Sequence, residues 1–297
     1  MFKSIIQDAK YSFMTGNMVT RLIIVNVVVF IFAALIVAFS KGGPVENFLN
    51  DNFAISGRLS ILMFKPWTII SHIFLHKGFW HLLFNMIGLH IFGRIIGDLA
   101  GDKRVLPIYI FGGVIGGLFY VLSFQLQITG GQYALGASAA VLAIAVTAAF
   151  TAPDYSIRLL LIGDVKIKYI VLVFIFFDII GAAGNNNVGG HIAHLGGVLA
   201  GIVFFRLMGT RSDITFIFEK IMSFPALFNK KGRSKKSKLR VEHRSEYLGQ
   251  RKNVKSANEN YNREEELNRI LDKIKVNGYD QLSNEEKDFL KKYSQDN

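Results

Sequence analysis

Residues 19–39 read VTRLIIVNVVVFIFAALIVAF, and this apolar stretch decides the fold class. It exceeds the roughly 7–15 apolar residues of a secretory signal peptide, so we interpret it as an uncleaved signal anchor. Five further apolar stretches follow, each bounded by glycine, asparagine, proline or charged residues. They cover residues 81–98, 104–126, 136–151, 168–184 and 191–208. This pattern predicts six transmembrane helices.

Composition and charge agree with a membrane location. Hydrophobic residues make up 51% of the chain, and the mean hydropathy is +0.33. A net charge of +12 can indicate nucleic-acid binding, but here many basic residues lie in the C-terminal region and in short loops between apolar stretches. The loops at 127–135 and 185–190 contain no lysine or arginine, so we expect them outside and both termini in the cytoplasm. We expect no nucleic-acid partner.

The segments around the predicted bundle differ in composition. Residues 1–18 form an amphipathic leader, and we expect residues 19–210 to be the membrane domain. Residues 211–261 are predicted to be a basic cytoplasmic linker, whose run at 230–240 holds seven basic residues and suits either anionic lipid or solvent. Residues 262–297 have capping-box spacing and an apolar face, which predicts a small cytoplasmic helical hairpin.

The fourth apolar stretch is too short for a full span. Its sixteen residues reach about 24 Å at ~1.5 Å per residue, against a hydrocarbon thickness of about 30 Å. The glycine-containing residues 130–136 before it are predicted to be irregular. Irregular backbone at membrane depth needs protein or water around it, so we expect a water-filled cavity that opens to the outer face.

Polar side chains inside the predicted spans suggest one chemical site. Ser138 lies in the run Gly136-Ala137-Ser138-Ala139-Ala140, and His194 shares a helical stripe with Gly197 and Gly201. If these small-residue faces pack together, the imidazole can activate the hydroxyl as a general base. The ordinary alternatives are a serine bonded to its own helix and glycines that only pack.

The second span carries a matching pair. His81 and Asn85 are one helical turn apart, so both can donate to a developing oxyanion together with the Ser138 backbone N–H. Their ordinary role would be capping or packing at the membrane interface.

These motifs together resemble the rhomboid proteases in residue type, order and spacing. The runs that carry the resemblance are HIFLH at 72–76, HLLFN at 81–85, GAS at 136–138 and AHLGG at 193–197, followed by Gly201. The resemblance covers about residues 55–208, and three separated motifs on the expected three spans are far more specific than Gly-x-Ser alone.

The resemblance implies an all-α membrane protein with a six-transmembrane-helix rhomboid-like bundle. It also implies an intramembrane serine endopeptidase with a Ser-His dyad, without the carboxylate of a catalytic triad and without a cofactor or metal. Ser138 would be the nucleophile and His194 the base; His81, Asn85 and the Ser138 amide would form the oxyanion hole. His72 and His76 would support the first loop, and Gly136, Gly197 and Gly201 the packing. The expected partners are the lipid bilayer and transmembrane substrates, and the expected location is a bacterial inner membrane.

The sequence also departs from the family pattern. Ala139 replaces the usual glycine after the serine, and Leu142 stands where many bacterial members have a tyrosine that stacks on the histidine. We therefore expect another group to orient His194. The usual Trp-Arg pair reads Trp67-Thr68, and the glutamate expected after the second span appears as Gly97 beside Asp98.

The same residues fit four competing interpretations less well. His191 precedes His194 by one turn but lacks the glycine three residues later, so His194 is the preferred base. A metal enzyme would use the histidines at 72, 76, 81, 191 and 194, but it leaves Ser138 unexplained. A catalytically silent rhomboid-like binding protein would generally have lost the serine or histidine. A transporter would need several buried carboxylates, and Asp178 is the one acidic residue well inside a predicted span.

Overall fold

The computed structural model describes residues 2–40, 43–159, 162–184, 186–228, 266–275 and 281–295. It divides into two compact units, Met1–Asn229 and Lys230–Asn297. The first unit contains every residue of the predicted site.

The first unit is mainly helical. Its long helices coincide with the six apolar stretches, because the backbone can satisfy its hydrogen bonds within a helix without water. These helices are α2 (Met18–Phe39), α6 (Phe79–Ile96), α7 (Val105–Gln125), α8 (Ser138–Thr151), α9 (Ile167–Ala183) and α10 (Val188–Leu207). Shorter helices precede or separate them, namely α1 (Phe2–Thr15), α3 (Gly43–Phe53), α4 (Leu59–Phe64) and α5 (Thr68–Ser71).

Several helices are long and apolar enough to cross a bilayer. By length and composition they are Met18–Phe39, the continuous helical stretch Phe79–Gln125 and Val188–Leu207, while Ser138–Thr151 is a shorter apolar helix. The outer surface of α2 and α9 remains apolar, with exposed side chains such as Phe32, Leu172 and Phe176. The chain is therefore a helical integral membrane protein.

Helix α8 is the centre of the bundle. It contacts α6, α7, α9 and α10, and ten of its fourteen residues are buried. Glycines allow the neighbouring backbones to approach: a Cβ added at Gly112 would lie 2.4 Å from the Ala143 Cβ, and one at Gly116 would lie 2.4 Å from the Ala139 Cβ. These close contacts with α7 place α8 deep in the protein.

Two short sheets supplement the mostly helical fold that the sequence predicts. Strand β1 (Ile55–Ser56) pairs antiparallel with β2 (Tyr133–Ala134), so the segment before Ser138, predicted to be irregular, is partly a strand. The Tyr120 hydroxyl donates to the Gly131 carbonyl at 2.5 Å. Alternation in a two-residue strand is too brief to be recognised in sequence.

The second sheet is a hairpin outside the apolar stretches. It consists of β3 (Ser156–Leu159) and β4 (Gly163–Lys166), paired antiparallel. Lys166 and Lys168 both donate to Asp154 at 2.9 Å, and these hydrogen bonds lower the pKa of Asp154 to about 2, with Lys168 contributing most.

The predicted linker begins with a helix. Helix α11 (Ile214–Phe228) occupies its first part, where Asp213 accepts from the Thr215 N–H at 2.9 Å and pairs with Arg104 at 3.3 Å. The first part of the segment predicted to be a linker is therefore helical. The basic run at 230–240 lies outside the described residues.

The second unit, within its described residues, contains two helical segments. They are α12 (residues 266–275) and α13 (Asn284–Gln295). The predicted capping box at Ser283 is confirmed, since Glu286 accepts from the Ser283 N–H at 2.9 Å and the Ser283 hydroxyl accepts from the Glu286 N–H at 3.2 Å. The other predicted box, at Asn262, lies outside the described residues.

Candidate active site

Ser138 is the first residue of α8, and its hydroxyl meets the imidazole of His194 from α10. The distance from His194 Nε2 to Ser138 Oγ is 2.6 Å. The glycines of α10 allow this contact, because they let α10 approach the backbone of α8 closely. A Cβ added at Gly197 would lie 2.3 Å from the Ala139 carbonyl oxygen, and one added at Gly201 would lie 2.6 Å from the Ala143 carbonyl oxygen. The structure therefore brings together the two side chains that the sequence analysis singled out.

Both groups face a large open cavity. Its volume is about 1820 Å³, and Ser138, His194, His81 and Asn85 all line it. Its wall also includes the segment 128–135, which precedes the serine. An opening of this size next to a serine-histidine pair can admit water and a peptide segment.

A carboxylate completes the arrangement on the far side of His194. Asp178 Oδ1 lies 2.7 Å from His194 Nδ1 and 2.8 Å from His191 Nδ1. This contact corrects the expectation of a pair without a carboxylate. The signal was present in the sequence, because an acidic residue inside an apolar helix needs a partner, but no motif around Asp178 identified that partner.

The groups expected to form an oxyanion hole line the same cavity as Ser138. The Asn85 side chain is 6% exposed and donates one N–H to the His81 carbonyl at 2.7 Å, which leaves its second N–H for another acceptor. The His81 ring is close to Gly136, where an added Cβ would lie 2.7 Å from His81 Cε1. Ser138 begins its helix, so its N–H lies among those without an intrahelical acceptor.

His72 and His76 occupy different environments in the first loop. His72 Nδ1 lies 2.8 Å from the Thr68 carbonyl oxygen, and the His72 carbonyl accepts from the Gly136 N–H at 2.9 Å. His76 lines the cavity, with its ring centroid 5.2 Å from that of His81. Burial lowers the pKa of each to about 4, with nearby His81 contributing to the shift of His76, so both are neutral at pH 7.

Gly136 is the glycine whose backbone conformation the site requires. Its φ is +128°, a region that side-chain-bearing residues rarely adopt. This conformation leads the chain from β2 into α8 against the His81 ring. Nearby, the Ala139 methyl packs toward Gly116. Leu142, at the position of the family's tyrosine, is buried and lines the cavity.

The ligand set considered for a metal enzyme is not assembled as the sequence suggested. His72 is turned toward its own loop, and the group of described residues with metal-ligand spacing is instead Asp178, His191 and His194, whose ligand atoms lie within 4.8 Å of one another. The two imidazoles of this group lie at hydrogen-bond distance from one carboxylate oxygen. Hydrogen bonding explains this geometry without an ion.

The fold and the site together define a helical integral membrane protein with a serine-histidine pair at the wall of an open cavity. A family model described as Rhomboid domain matches residues 63–211, half of the chain, and the chain belongs to the rhomboid family. Residues 255–296 match a second model, described as Family of unknown function (DUF6576).

Three curated relatives illustrate the range of the family. The chain is 32% identical to RHOMBOID-like protein 12, mitochondrial, of Arabidopsis thaliana, over 64% of this chain and 58% of the relative. It is 29% identical to the Putative rhomboid protease YdcA of Bacillus subtilis (46% and 64%), and 30% identical to the Inactive RHOMBOID-like protein 8 of Arabidopsis thaliana (27% and 23%). The matches thus span less than two thirds of each relative's length.

Proposed function

We propose that this protein is an intramembrane serine endopeptidase that hydrolyses peptide bonds in or near transmembrane segments of other membrane proteins. Rhomboid relatives support a protease-like function, and one of them is named a putative protease. The observation that carries the proposal is the 2.6 Å approach of Ser138 Oγ to His194 Nε2 at the wall of an open cavity. Within a membrane, a serine without such a role usually bonds to its own helix.

The proposed topology has six spans formed by α2, α6, α7, α8, α9 and α10. Both termini lie in the cytoplasm and the cavity opens to the outer face, as the distribution of lysine and arginine indicates. The proposed location is the inner membrane of a bacterium. Helix α8 has only fourteen residues, about 21 Å at ~1.5 Å per residue, so Ser138 lies below the outer surface.

The proposed reaction proceeds through an acyl-enzyme. His194 Nε2 takes the proton of the Ser138 hydroxyl as Oγ attacks the scissile carbonyl carbon, and the imidazolium then gives this proton to the leaving amine. A water from the cavity repeats the sequence on the ester: it gives a proton to His194 and releases the acid product. The serine regains its proton from His194.

The negative charge that develops on the carbonyl oxygen needs fixed donors. The Ser138 N–H, the free N–H of Asn85 and His81 are the proposed set. The N-terminus of α8 adds a favourable helix dipole at the same point.

Transmembrane helices are the proposed substrates and the lipid bilayer the second partner. A peptide bond in a helix is shielded by its own hydrogen bonds, so cleavage requires a segment that unwinds readily. The cavity supplies the polar surroundings that unwound backbone needs inside the membrane. Contact between the basic run at 230–240 and anionic lipid remains part of this proposal.

Cleavage in liposomes tests the proposal. Wild-type protein, Ser138→Ala and His194→Ala are reconstituted with a single-pass substrate, and products are measured together with labelling of Ser138 by a fluorophosphonate. We expect wild type to cleave and both variants to lose cleavage while remaining folded. Matched controls are Ser123→Ala, a buried serine that donates to the Tyr120 carbonyl, and His90→Ala, an exposed histidine; both should cleave normally.

A non-proteolytic role is the second candidate, because one relative is named inactive. Such a protein would bind or escort membrane clients. Substrate capture without cleavage, and no fluorophosphonate labelling of folded wild-type protein, would establish this role and end the protease proposal.

A further inference from the structure

Asp178 is an acidic residue in the middle of an apolar helix. It is 7% exposed, and its neighbours on α9 include Phe176, Phe177 and Ile179. A carboxylate at membrane depth is costly unless it is paired and hydrogen-bonded. Its position therefore needs an explanation within the site.

The hydrogen bonds around Asp178 form a continuous chain to the serine. Asp178 Oδ1 lies 2.7 Å from His194 Nδ1, and His194 Nε2 lies 2.6 Å from Ser138 Oγ. Three different helices, α9, α10 and α8, supply these groups. The chain has the order carboxylate, imidazole, hydroxyl, which is the arrangement that activates serine in many soluble hydrolases.

The carboxylate determines which nitrogen of His194 carries the proton. An ionised carboxylate only accepts hydrogen bonds, so His194 Nδ1 must carry a hydrogen toward it. The neutral imidazole then has a lone pair on Nε2, and this is the tautomer that can receive the Ser138 proton. Asp178 also stabilises the imidazolium that forms when the proton moves.

His191 supports the carboxylate from the other side. Its Nδ1 lies 2.8 Å from the same Oδ1 atom, and its ring is packed against Gly181, where an added Cβ would lie 2.3 Å from Nε2. The two imidazole rings are edge-on, with centroids 6.0 Å apart. Donation from two histidines holds the carboxylate in one position and offsets its desolvation.

We propose that Asp178 is the positioning residue for His194 and that His191 in turn holds Asp178. The inference rests on the proposed function and deepens it. Leu142 cannot stack on His194 as an aromatic ring would, and the carboxylate supplies the missing orientation. The four residues thus form one hydrogen-bonded chain in the order Ser138–His194–Asp178–His191.

Other charged and titratable groups lie near this hydrogen-bonded chain. Within the described residues, those that line the same cavity are Glu46, His76, Lys77, His81, Tyr120 and Tyr133. All belong to other elements, and none of the described hydrogen bonds joins them to Asp178. They remain unchanged in the variants below.

Kinetics in liposomes provide the first test. Asp178→Asn keeps the shape but allows the amide to stabilise the wrong tautomer, so kcat should fall about 10²- to 10⁴-fold while KM stays similar. The acidic limb of the rate–pH profile should move to lower pH, because the imidazolium loses its stabilising anion.

Asp178→Glu should recover part of the loss, and His191→Gln should lower kcat less than Asp178→Asn. Asp98→Asn, the same chemical change at an exposed position outside the cavity, should behave as wild type.

Nitrogen-15 NMR of histidine-labelled protein provides a readout that is independent of turnover. His194→Gln identifies the His194 signals. At neutral pH, wild type and Ser138→Ala should show His194 protonated on Nδ1, and Asp178→Asn should reduce this tautomer.

The outcomes separate this inference from the proposed function. Wild-type cleavage that is unaffected by Asp178→Asn, or a rate that falls equally at every pH with an unchanged tautomer, would overturn the positioning role. Loss of the Nδ1-protonated tautomer in Asp178→Asn supports it, even if wild type cleaves no substrate. In that case only the protease proposal fails.

Discussion

Asn85 lines the cavity and donates one amide hydrogen to a carbonyl of its own helix, which leaves its second amide hydrogen for another acceptor. The bond to the His81 carbonyl holds the side chain at a defined angle. A donor held in place before the reaction costs no reorganisation when charge develops, and this is the basis of transition-state stabilisation by an oxyanion hole.

We predict that Asn85→Ala lowers kcat by about 10²- to 10³-fold, the effect of removing one oxyanion donor. The KM and the thermal unfolding temperature should change little. The control is Asn52→Ala, because Asn52 makes the same bond to a carbonyl four residues earlier, at 2.8 Å, and does not line the cavity. Equal rates for Asn85→Ala and wild type would remove Asn85 from the proposed hole.

Single residues were predicted from sequence to different extents. Ser138 and His194 lie beside small residues whose spacing favours close helix packing, and the structure shows their side chains in contact. Asp178 had no motif around it, and its two bonds depend on how α9 packs against α10. A lone acidic residue in an apolar stretch shows that a partner exists, but only the packing of three helices shows which one.

Among the elements, α8 and α10 determine the geometry of the site through their contact. The Gly197 backbone lies directly against the Ala139 carbonyl, one residue after Ser138. Backbone atoms cannot move aside as a flexible side chain can, so any added atom separates the helices.

We predict that Gly197→Ala abolishes most cleavage and destabilises the fold by about 1–3 kcal/mol, the usual range for overpacking. The added Cβ would meet the Ala139 oxygen at 2.3 Å and lengthen the Ser138–His194 contact. Gly97→Ala is the control, because the nearest atom to its added Cβ is Asp102 Oδ1 at 3.8 Å. Cleavage rate and unfolding temperature in detergent micelles measure both effects; full activity of Gly197→Ala would show that the bundle can repack there.

Elements were predictable where a periodic or apolar pattern was long. The six apolar stretches predicted the helix positions within a few residues, and the shortness of the fourth stretch matches the fourteen residues of α8. The pairing of β1 with β2 was not predictable, because it joins two-residue segments far apart in sequence. Loop closure between such segments depends on the bundle that already holds their ends together.

For the whole molecule, all site groups lie in the unit Met1–Asn229, and residues 230–297 belong to the other compact unit. The first unit has its own buried core, which runs from Val19 to Phe204 and includes most of α8. A unit with its own core can fold independently. The activity proposed for this chain should therefore be contained in that unit.

We predict that protein truncated after residue 229 retains the wild-type cleavage rate in liposomes within about a factor of two, since an independent unit carries its own site. The truncated Ser138→Ala protein is the background control, and fluorophosphonate labelling counts the active sites, so that a lower yield is not mistaken for a lower rate. If a folded, labelled truncated protein no longer cleaves the substrate, the second unit takes part in substrate binding. If labelling is also lost, the second unit is required to assemble the Ser138–His194 pair, and the assignment of the reaction to the first unit alone is wrong.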